Sequence, residues 1–385
     1  MIAKPLNILA SLYFCYFAIF GVFVPFSARF LSQQGWTPTQ ISSLFVAVML
    51  AQLIGPLLLS SISDRFGRRL SIVRWATLAM WLALASGYAL LDAPFWVYGC
   101  GFAFGLALSI TLPQLEALCL QQLGADQARY GQVRLWGSLG FACMTLSLGM
   151  LMEWLGSWLY MAFISLFLLM LWLLSWGLPN QPASSATSGG QRLRQAWPKG
   201  LGLLLLVALL WQMSFAPYNT FYDQYLSQQG YAAWQIGAAI TLGVLAEILL
   251  FAFSAKLMRA LGSSTALIWA LLFTALRWLF LLSLLPWPIW QIAWQSLHAF
   301  SFALAHLAFV QLLAQQLGPN LRASAQALYQ AASTGMGLML GNLWLGPVYQ
   351  ASGGLELPMQ LAGASALLAL TLLFVWRWRY QRLVG

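Results

Sequence analysis

The sequence predicts an all-α membrane protein of twelve transmembrane helices arranged as two six-helix halves. Three observations predict it. Of 385 residues, 61% are hydrophobic and only 7% charged, whereas a soluble domain carries about 25% charged residues. The apolar residues fall in runs close to the ~20 residues that cross a bilayer. A polar, linker-like stretch stands near mid-chain, and a short motif recurs on either side of it. So few charges exclude a water-soluble surface, and the spans use up the chain, leaving no sizeable soluble domain.

The first span is read at 6–31. Lys4 precedes an apolar run from Leu6 to Phe30 that is too long for the apolar core of a signal peptide. Spans at 39–62, 71–91, 94–120, 133–155 and 158–177 complete a first half, 1–178. The linker is 179–198, whose core Pro182-Ala-Ser-Ser-Ala-Thr-Ser-Gly-Gly190 has the composition of a flexible connector. A second half, 199–385, holds spans at 199–226, 234–256, 264–285, 288–316, 323–349 and 357–378. With the N-terminus inside, every basic residue of the 18 except Arg29 and Arg277 falls in a cytoplasmic loop or helix end. That asymmetry places both termini in the cytoplasm and explains the formal charge of +10 without a nucleic-acid partner. Cys15, Cys100, Cys119 and Cys143 all lie in apolar runs without CxxC spacing, so they read as small packing residues, with no disulfide framework and no metal site.

The halves repeat. Leu31-Ser-Gln-Gln-Gly35 recurs as Leu226-Ser-Gln-Gln-Gly230, and at the same offset Gln40-Ile41 matches Gln235-Ile236 and Gly67 matches Gly262. Two parallel six-helix halves resemble the architecture of the major facilitator superfamily. The loop after the second span, Ser60-Ser-Ile-Ser-Asp64-Arg65-Phe-Gly67-Arg68-Arg69, resembles that superfamily's signature G-x-x-x-D-R-x-G-R-[RK], with Ser60 in place of the leading glycine. In this gate motif Asp64, Arg65, Arg68 and Arg69 can pair with one another and with helix ends, and Gly67 permits the tight turn. The pairs Gly101/Gly105 and Gly337/Gly341 read as points of close helix approach.

Ionisable groups inside the spans are few, and such groups are costly and usually mark pathways or relays. They are Arg29, Glu116, Arg134, Asp223, Glu247, Arg277, His298 and His306. Each also reads as a structural ion pair or a hydrogen-bonded core residue. Glu116 and Arg134 make a candidate pair between the fourth and fifth spans. Glu247, Arg277, His298 and His306 make a candidate protonation network in the eighth to tenth.

These residues carry a closer resemblance, to the lactose permease group of proton symporters and to the related phenylpropionate permease group. Pro113-Gln-Leu-Glu116-Ala117 is similar to P-x-x-E-A, and Tyr130-Gly131-Gln-Val-Arg134-Leu-Trp-Gly137 to F-G-x-x-R-x-F-G. Tyr222-Asp223-Gln224 is similar to F-D-Q, Leu297-His298-Ala-Phe300 to L-H-x-F, and Leu321-Arg322-Ala-Ser-Ala to the loop before the eleventh span. The resemblance implies substrate contacts from Glu116, Arg134, Phe141 and Asp223. It implies proton coupling through Glu247, Arg277, His298 and His306, with one substrate bound between the halves and alternating access. It also implies a multi-pass, monomeric protein of the bacterial inner membrane that uses the proton and no other cofactor. Ser301 stands where lactose permease has its proton-carrying glutamate, Gln295 where it has a lysine, and Phe141 where it has a sugar-stacking tryptophan. The Tyr-Gly-Gln-Val-Arg-Leu-Trp-Gly-Ser string, His306 and Val244-Leu-Ala-Glu247 resemble the phenylpropionate group more. Two substrates stay open, an aromatic carboxylate and a saccharide. Arg134 can grip a carboxylate in two places or donate to vicinal hydroxyls, and Glu116 accepts from hydroxyls. An exporter or antiporter of the same fold is the first alternative. A membrane enzyme lacks a nucleophile–base set or metal ligands here, and a sensor lacks a signalling domain.

Overall fold

The computed structural model describes residues 4–66, 69–124, 129–179, 197–317 and 322–380. All regular structure among them is helical. The elements are α1 (Lys4–Gln33), α2 (Pro38–Phe66), α3 (Arg69–Ala89), α4 (Pro94–Leu123), α5 (Tyr130–Leu155), α6 (Trp158–Ser175), α7 (Leu201–Met213) and α8 (Ala216–Gln228). Then come α9 (Ala233–Leu261), α10 (Ser263–Leu281), α11 (Pro288–Trp294), α12 (Ala305–Leu317), α13 (Arg322–Gln330), α14 (Leu338–Ser352) and α15 (Glu356–Tyr380). Three start at proline, Pro38, Pro94 and Pro288, where its fixed φ suits the first turn and its missing N–H is not needed.

Several expected spans are not uniform α-helix. The expected span at 199–226 is α7 and α8, joined through Ser214 and Phe215. The one at 288–316 runs through α11, a 3-10 turn at Gln295–Leu297, a π segment at Ala299–Leu304 and α12. Among the described residues, 11 helices are long and apolar enough to cross a membrane, against the twelve expected. The difference is the expected span at 323–349. It is helical from Arg322 to Ser352, as α13, a π segment at Ala331–Gly337 and α14. Its Gln330, Ser333, Thr334, Asn342 and Gln350, with several glycines, dilute its apolar character.

Contacts divide the chain into two units, Met1–Ala186 with Leu226–Gly237, and Thr187–Tyr225 with Ala238–Gly385. The expected linker core lies at 180–196, outside the described residues. The segment 226–237 joins the first unit because the Ala233 N–H donates to Glu153 Oε2 at 3.2 Å and Gly237 lies against the Thr145 carbonyl. In the first unit α1 packs on α5 and α6, α2 on α4, and α3 on α4 and α6. In the second, α10 packs on α15 and α12, and α7 on α14 and α15.

The sequence repeat has a structural meaning. At Gly35 and Gly230 the backbone turns left-handed, with φ of 84° and 82°. Trp36 N–H donates to Leu31 O, and Tyr231 N–H to Leu226 O, both at 3.1 Å. Gly35 and Gly230 donate to Ser32 and Ser227. This is one helix cap built twice, and it needs glycine at the left-handed position. The matching Gln40 and Gln235 then reach back to the Thr37 and Ala232 N–H groups, each at 2.9 Å, and satisfy donors at the start of the next helix.

The gate motif is only partly described. Asp64 and Arg65 end α2 and Arg69 opens α3; Gly67 and Arg68, and the side chains of Asp64 and Arg65, lie outside the described residues. Cys15 and Cys119 are buried, Cys100 is half-buried and Cys143 is exposed; all four are free thiols.

Both glycine pairs mark close approach. Gly101 and Gly105 on α4 face Leu44 and Val48 on α2, and Gly337 and Gly341 face Leu209 and Met213 on α7. A Cβ at Gly105 would stand 2.5 Å from the Val48 carbonyl oxygen, and backbone cannot move aside as a side chain can. Gly105→Leu should therefore destabilise the detergent-solubilised protein by about 1–3 kcal/mol, seen as a lower unfolding temperature. Gly202→Leu, with nothing within 4 Å, should not. Equal unfolding temperatures for the two variants would contradict the close approach.

Candidate functional site

Two clusters of polar groups stand inside the spans, one in each unit. In the first unit Glu116 sits on α4 and Arg134 on α5. Pro113, one turn before Glu116, supplies no N–H, so the Ser109 carbonyl loses its helical donor. The Tyr130 hydroxyl, at the start of α5, donates to Glu116 Oε1 at 3.5 Å. The Arg134 guanidinium carbon lies over the Phe17 ring, 4.0 Å from its centre, with the Tyr13 ring centre at 5.7 Å. Its slot exists because residue 137 is glycine. A Cβ there would meet Phe17 at 2.6 Å and Arg134 Nη1 at 2.8 Å. Glu116 and Arg134 interact electrostatically, yet the carboxylate's hydrogen bond goes to Tyr130. The guanidinium fork is therefore not consumed by its acidic neighbour. Phe141 is half-buried and lies two helical turns from Arg134, on the same face of α5. Its backbone is pressed against Gly21 of α1.

In the second unit the centre is Arg277 on α10, which has no exposed surface. Its Nη2 donates to Gln295 Oε1 at 2.7 Å. Its Nη1 lies 3.0 Å from His298 Nδ1 and donates to Ser301 Oγ at 3.3 Å. Tyr218 and Trp278 flank the guanidinium, each ring centre 4.5 Å away. The Gln295 amide turns its other end to Tyr222, donating to the hydroxyl at 2.6 Å, and Gln291 donates to the same oxygen at 3.3 Å. On the far side of the imidazole, His298 Nε2 is 3.4 Å from Glu247 Oε2 of α9. Gly243, one turn earlier on α9, lets that helix come close to His298.

The contacts fix the tautomer of His298. A guanidinium has only donors, so Nδ1 must accept and the ring proton must sit on Nε2, facing Glu247. The result is an ordered row, Glu247, His298, Arg277, Gln295, Tyr222.

The expected residues divide accordingly. Glu247, Arg277 and His298 come together. His306 does not bond to them: its Nδ1 lies 3.1 Å from the Tyr329 hydroxyl, and Phe302 is stacked between the two histidines, at 5.1 and 6.4 Å. Asp223 is buried on α8, but its neighbour Tyr222 is the one that bonds Gln295. The position of the family's glutamate is held by Ser301, whose hydroxyl accepts from Arg277. The sequence pattern assigns no role to Phe17 or Gln291, and it names Tyr130, Gly137 and Tyr222 only as members of motifs. A signal for one set existed: Gln291, Gln295, His298, Phe302 and His306 step by four, three, four and four along the chain, a helical stripe. Among the described residues no three His, Cys, Asp or Glu side chains gather as metal ligands.

A sequence profile of the MFS_1 like family matches residues 6–357. The chain is 29% identical over 362 residues to the "Probable 3-phenylpropionic acid transporter" of Escherichia coli (strain K12), covering 92% of this chain and 93% of that protein. It is 27% identical over 235 residues to the maltose permease of Geobacillus stearothermophilus, covering 60% of this chain and 58% of that one. Among solved structures, the nucleoside transporter NupG superposes with a TM-score of 0.85 at 14% identity, over 98% of this chain and all 100% of the other. The POT family transporter PepTSo does so with a TM-score of 0.75 at 14% identity, over 99% of both. The structural likenesses speak for the fold alone, and all four proteins are transporters rather than enzymes.

The Arg277 row makes one energetic prediction. Gln295→Leu removes an acceptor from a fully buried cation and a donor from Tyr222. It should cost about 1.5–3 kcal/mol, the range for a hydrogen bond to a charged group. Ser301→Ala, which loses the longer bond, should cost less. Chemical unfolding of the purified variants measures both, and a Gln295→Leu protein as stable as the parent would contradict the arrangement.

Proposed function

The chain belongs to the MFS_1 like family and is a multi-pass membrane transporter of that type, and on this premise we propose that it is a proton-coupled symporter that imports a small organic substrate by alternating access. The positive-inside pattern supports a bacterial inner membrane with both termini cytoplasmic, and the protein acts as a monomer. The observation that carries the proposal is the row Glu247–His298–Arg277. The Glu247 side chain keeps 22% of its surface and His298 15%, while Arg277 has none. A proton therefore enters from the Glu247 end. If it settles on His298, Nδ1 becomes a donor facing a donor, and Arg277 must leave that contact. Protonation and the position of a buried cation are then one event, and a conformational equilibrium that depends on Arg277 shifts with proton binding. His306, held by Tyr329 and outside the row, is a further proposed titratable group.

The substrate reading rests on the first unit. An uncommitted guanidinium fork over an aromatic ring, with Phe141 two turns away, suits an aromatic carboxylate, in line with the relative named for 3-phenylpropionic acid. A saccharide is the second reading. It is favoured by the Glu116 carboxylate, a strong acceptor for hydroxyls, and by the relative named for maltose. Asp223 is a further proposed contact.

Two experiments test the proposal. In proteoliposomes, uptake driven by a pH gradient is measured beside equilibrium exchange in the same vesicles. Glu247→Gln and His298→Ala should lose accumulation against a gradient and keep exchange; accumulation like the parent's in both would place the proton relay elsewhere. Uptake opposite to the proton gradient would make the protein an antiporter.

Substrate binding is measured with a panel of aromatic acids and sugars. Arg134→Ala should abolish binding under either reading. Glu116→Gln separates them. A sugar should bind more weakly by about 1.5–3 kcal/mol, whereas a carboxylate should bind as well or better once the neighbouring negative charge is gone.

A further inference from the structure

We propose that the groove between α3 and α6 binds an anionic phospholipid, with its phosphate at Arg74 and an acyl chain along the groove. The groove is a cavity of about 470 Å³, lined chiefly by Thr77, Trp81, Ser165, Leu166, Leu169 and Trp172. That volume is in the range of sites for small molecules, about 300–1,000 Å³. Its walls are apolar, and Trp81, Leu166 and Leu169 are exposed, so it opens outward from the packed helices. In a membrane-spanning helix pair that opening faces the hydrocarbon.

Arg74 stands one turn beyond the Thr77 end. Its Nη2 donates to the Ser175 carbonyl at 2.9 Å and its Nε to Ser175 Oγ at 3.3 Å. Its guanidinium carbon lies 3.8 Å over the Trp176 ring. These contacts pin the head of Arg74 at the C-terminal end of α6 and leave the Nη1 hydrogens and one Nη2 hydrogen for a ligand. Among the described residues no carboxylate pairs with it. A phosphate can therefore be received, and among the described residues no acidic group pairs with Arg74 to attract the ammonium of a zwitterionic headgroup.

The dimensions agree with a lipid. From Trp176 to Ala162, at the other end of the groove, α6 rises about 20 Å, a little more than half of a ~30 Å hydrocarbon core. Trp172 and Trp176 stack edge to face with centres 5.6 Å apart, at the level where tryptophans sit in membrane interfaces. The Arg74 end of α3 follows the basic 64–69 segment, which the proposed topology puts on the cytoplasmic side, where anionic lipid is enriched. Free phosphate has no use for the apolar groove, and a second protein chain would find one cation, Arg74, as its charged anchor there.

Native mass spectrometry of the full-length protein in detergent tests this, titrating phosphatidylglycerol and, separately, phosphatidylcholine with the same chains. The parent should retain one phosphatidylglycerol in preference to phosphatidylcholine. Arg74→Gln should lower phosphatidylglycerol retention about fivefold, the effect of one cation near the surface, without changing phosphatidylcholine. Arg74→Lys should keep most of the preference. Ala162→Phe, which fills the groove and leaves Arg74 in place, should lower retention of both lipids. No preference in the parent, an unchanged preference in Arg74→Gln, or undiminished lipid in Ala162→Phe would overturn the site. So would displacement of phosphatidylglycerol by inorganic phosphate alone, or a dimer that carries no lipid. If Arg74→Gln does not fold, the Arg74→Lys and Ala162→Phe arms decide.

Discussion

A guanidinium in an apolar helix with no exposed surface has no water to turn to, and leaving it so costs several kcal/mol. Much of the second unit is arranged to meet that need at Arg277. Its acceptors come from a segment that departs twice from the α-helix. In the 3-10 turn at Gln295–Leu297, side chains three residues apart line up, which brings Gln295 and His298 to the same cation. The π segment that follows, Ala299–Leu304, carries Ser301. Its carbonyl accepts from the Trp211 indole at 3.0 Å and the Thr274 hydroxyl at 3.1 Å. A carbonyl in this irregular stretch thus accepts from two side chains, which suits a membrane interior.

The histidine is held as firmly as the arginine. Phe302 stacks on the His298 ring at 5.1 Å with 5° between planes, and Phe215 meets it on edge at 6.3 Å. With the ring plane fixed, the remaining freedom is where its protons sit, and the donor-only partner at Nδ1 restricts that too. A serine at 301, in place of a carboxylate, follows the same logic. A second acid would compete with Glu247 for the cluster's single buried cation, whereas a hydroxyl accepts a bond without adding charge.

What the sequence discloses here depends on whether the cause is local. The two left-handed glycine caps and the Gln40 and Gln235 back-bonds are properties of a few adjacent residues, and the sequence shows them as a repeat. The grouping of Glu247, Arg277 and His298 was legible because few charges occur in the spans. Other features have tertiary causes. Nothing in the order of residues says that Gly137 clears a slot for Arg134, because the atoms it would strike belong to Phe17 of α1. Tyr222 rather than Asp223 meets Gln295 because of how α8 is turned, and His306 is drawn away by Tyr329. The expected span at 323–349 was read from its length, yet its polar and small residues leave it outside the apolar set.

The two arginines on which the functional reading rests differ in one physical respect. Arg277 is fully buried; its Nη groups meet Gln295, His298 and Ser301, Tyr218 and Trp278 flank it, and its Nε has no hydrogen-bond partner among the described residues. Arg134 is half-buried, lies on a bare aromatic ring, and has its acidic neighbour bonded to Tyr130 instead. A fully buried cation whose two Nη groups already meet protein partners is closed to a ligand there, and those contacts change when one of the partners changes protonation. A cation with an open fork gains most from an incoming carboxylate or pair of hydroxyls, since the protein has left those hydrogen bonds unmade. Under the proposed function the same residue type would serve coupling in one unit and recognition in the other, and what separates the two sites is the supply of acceptors around each. Gly137 and the turn that carries Gln295 and His298 are the local features that set that supply.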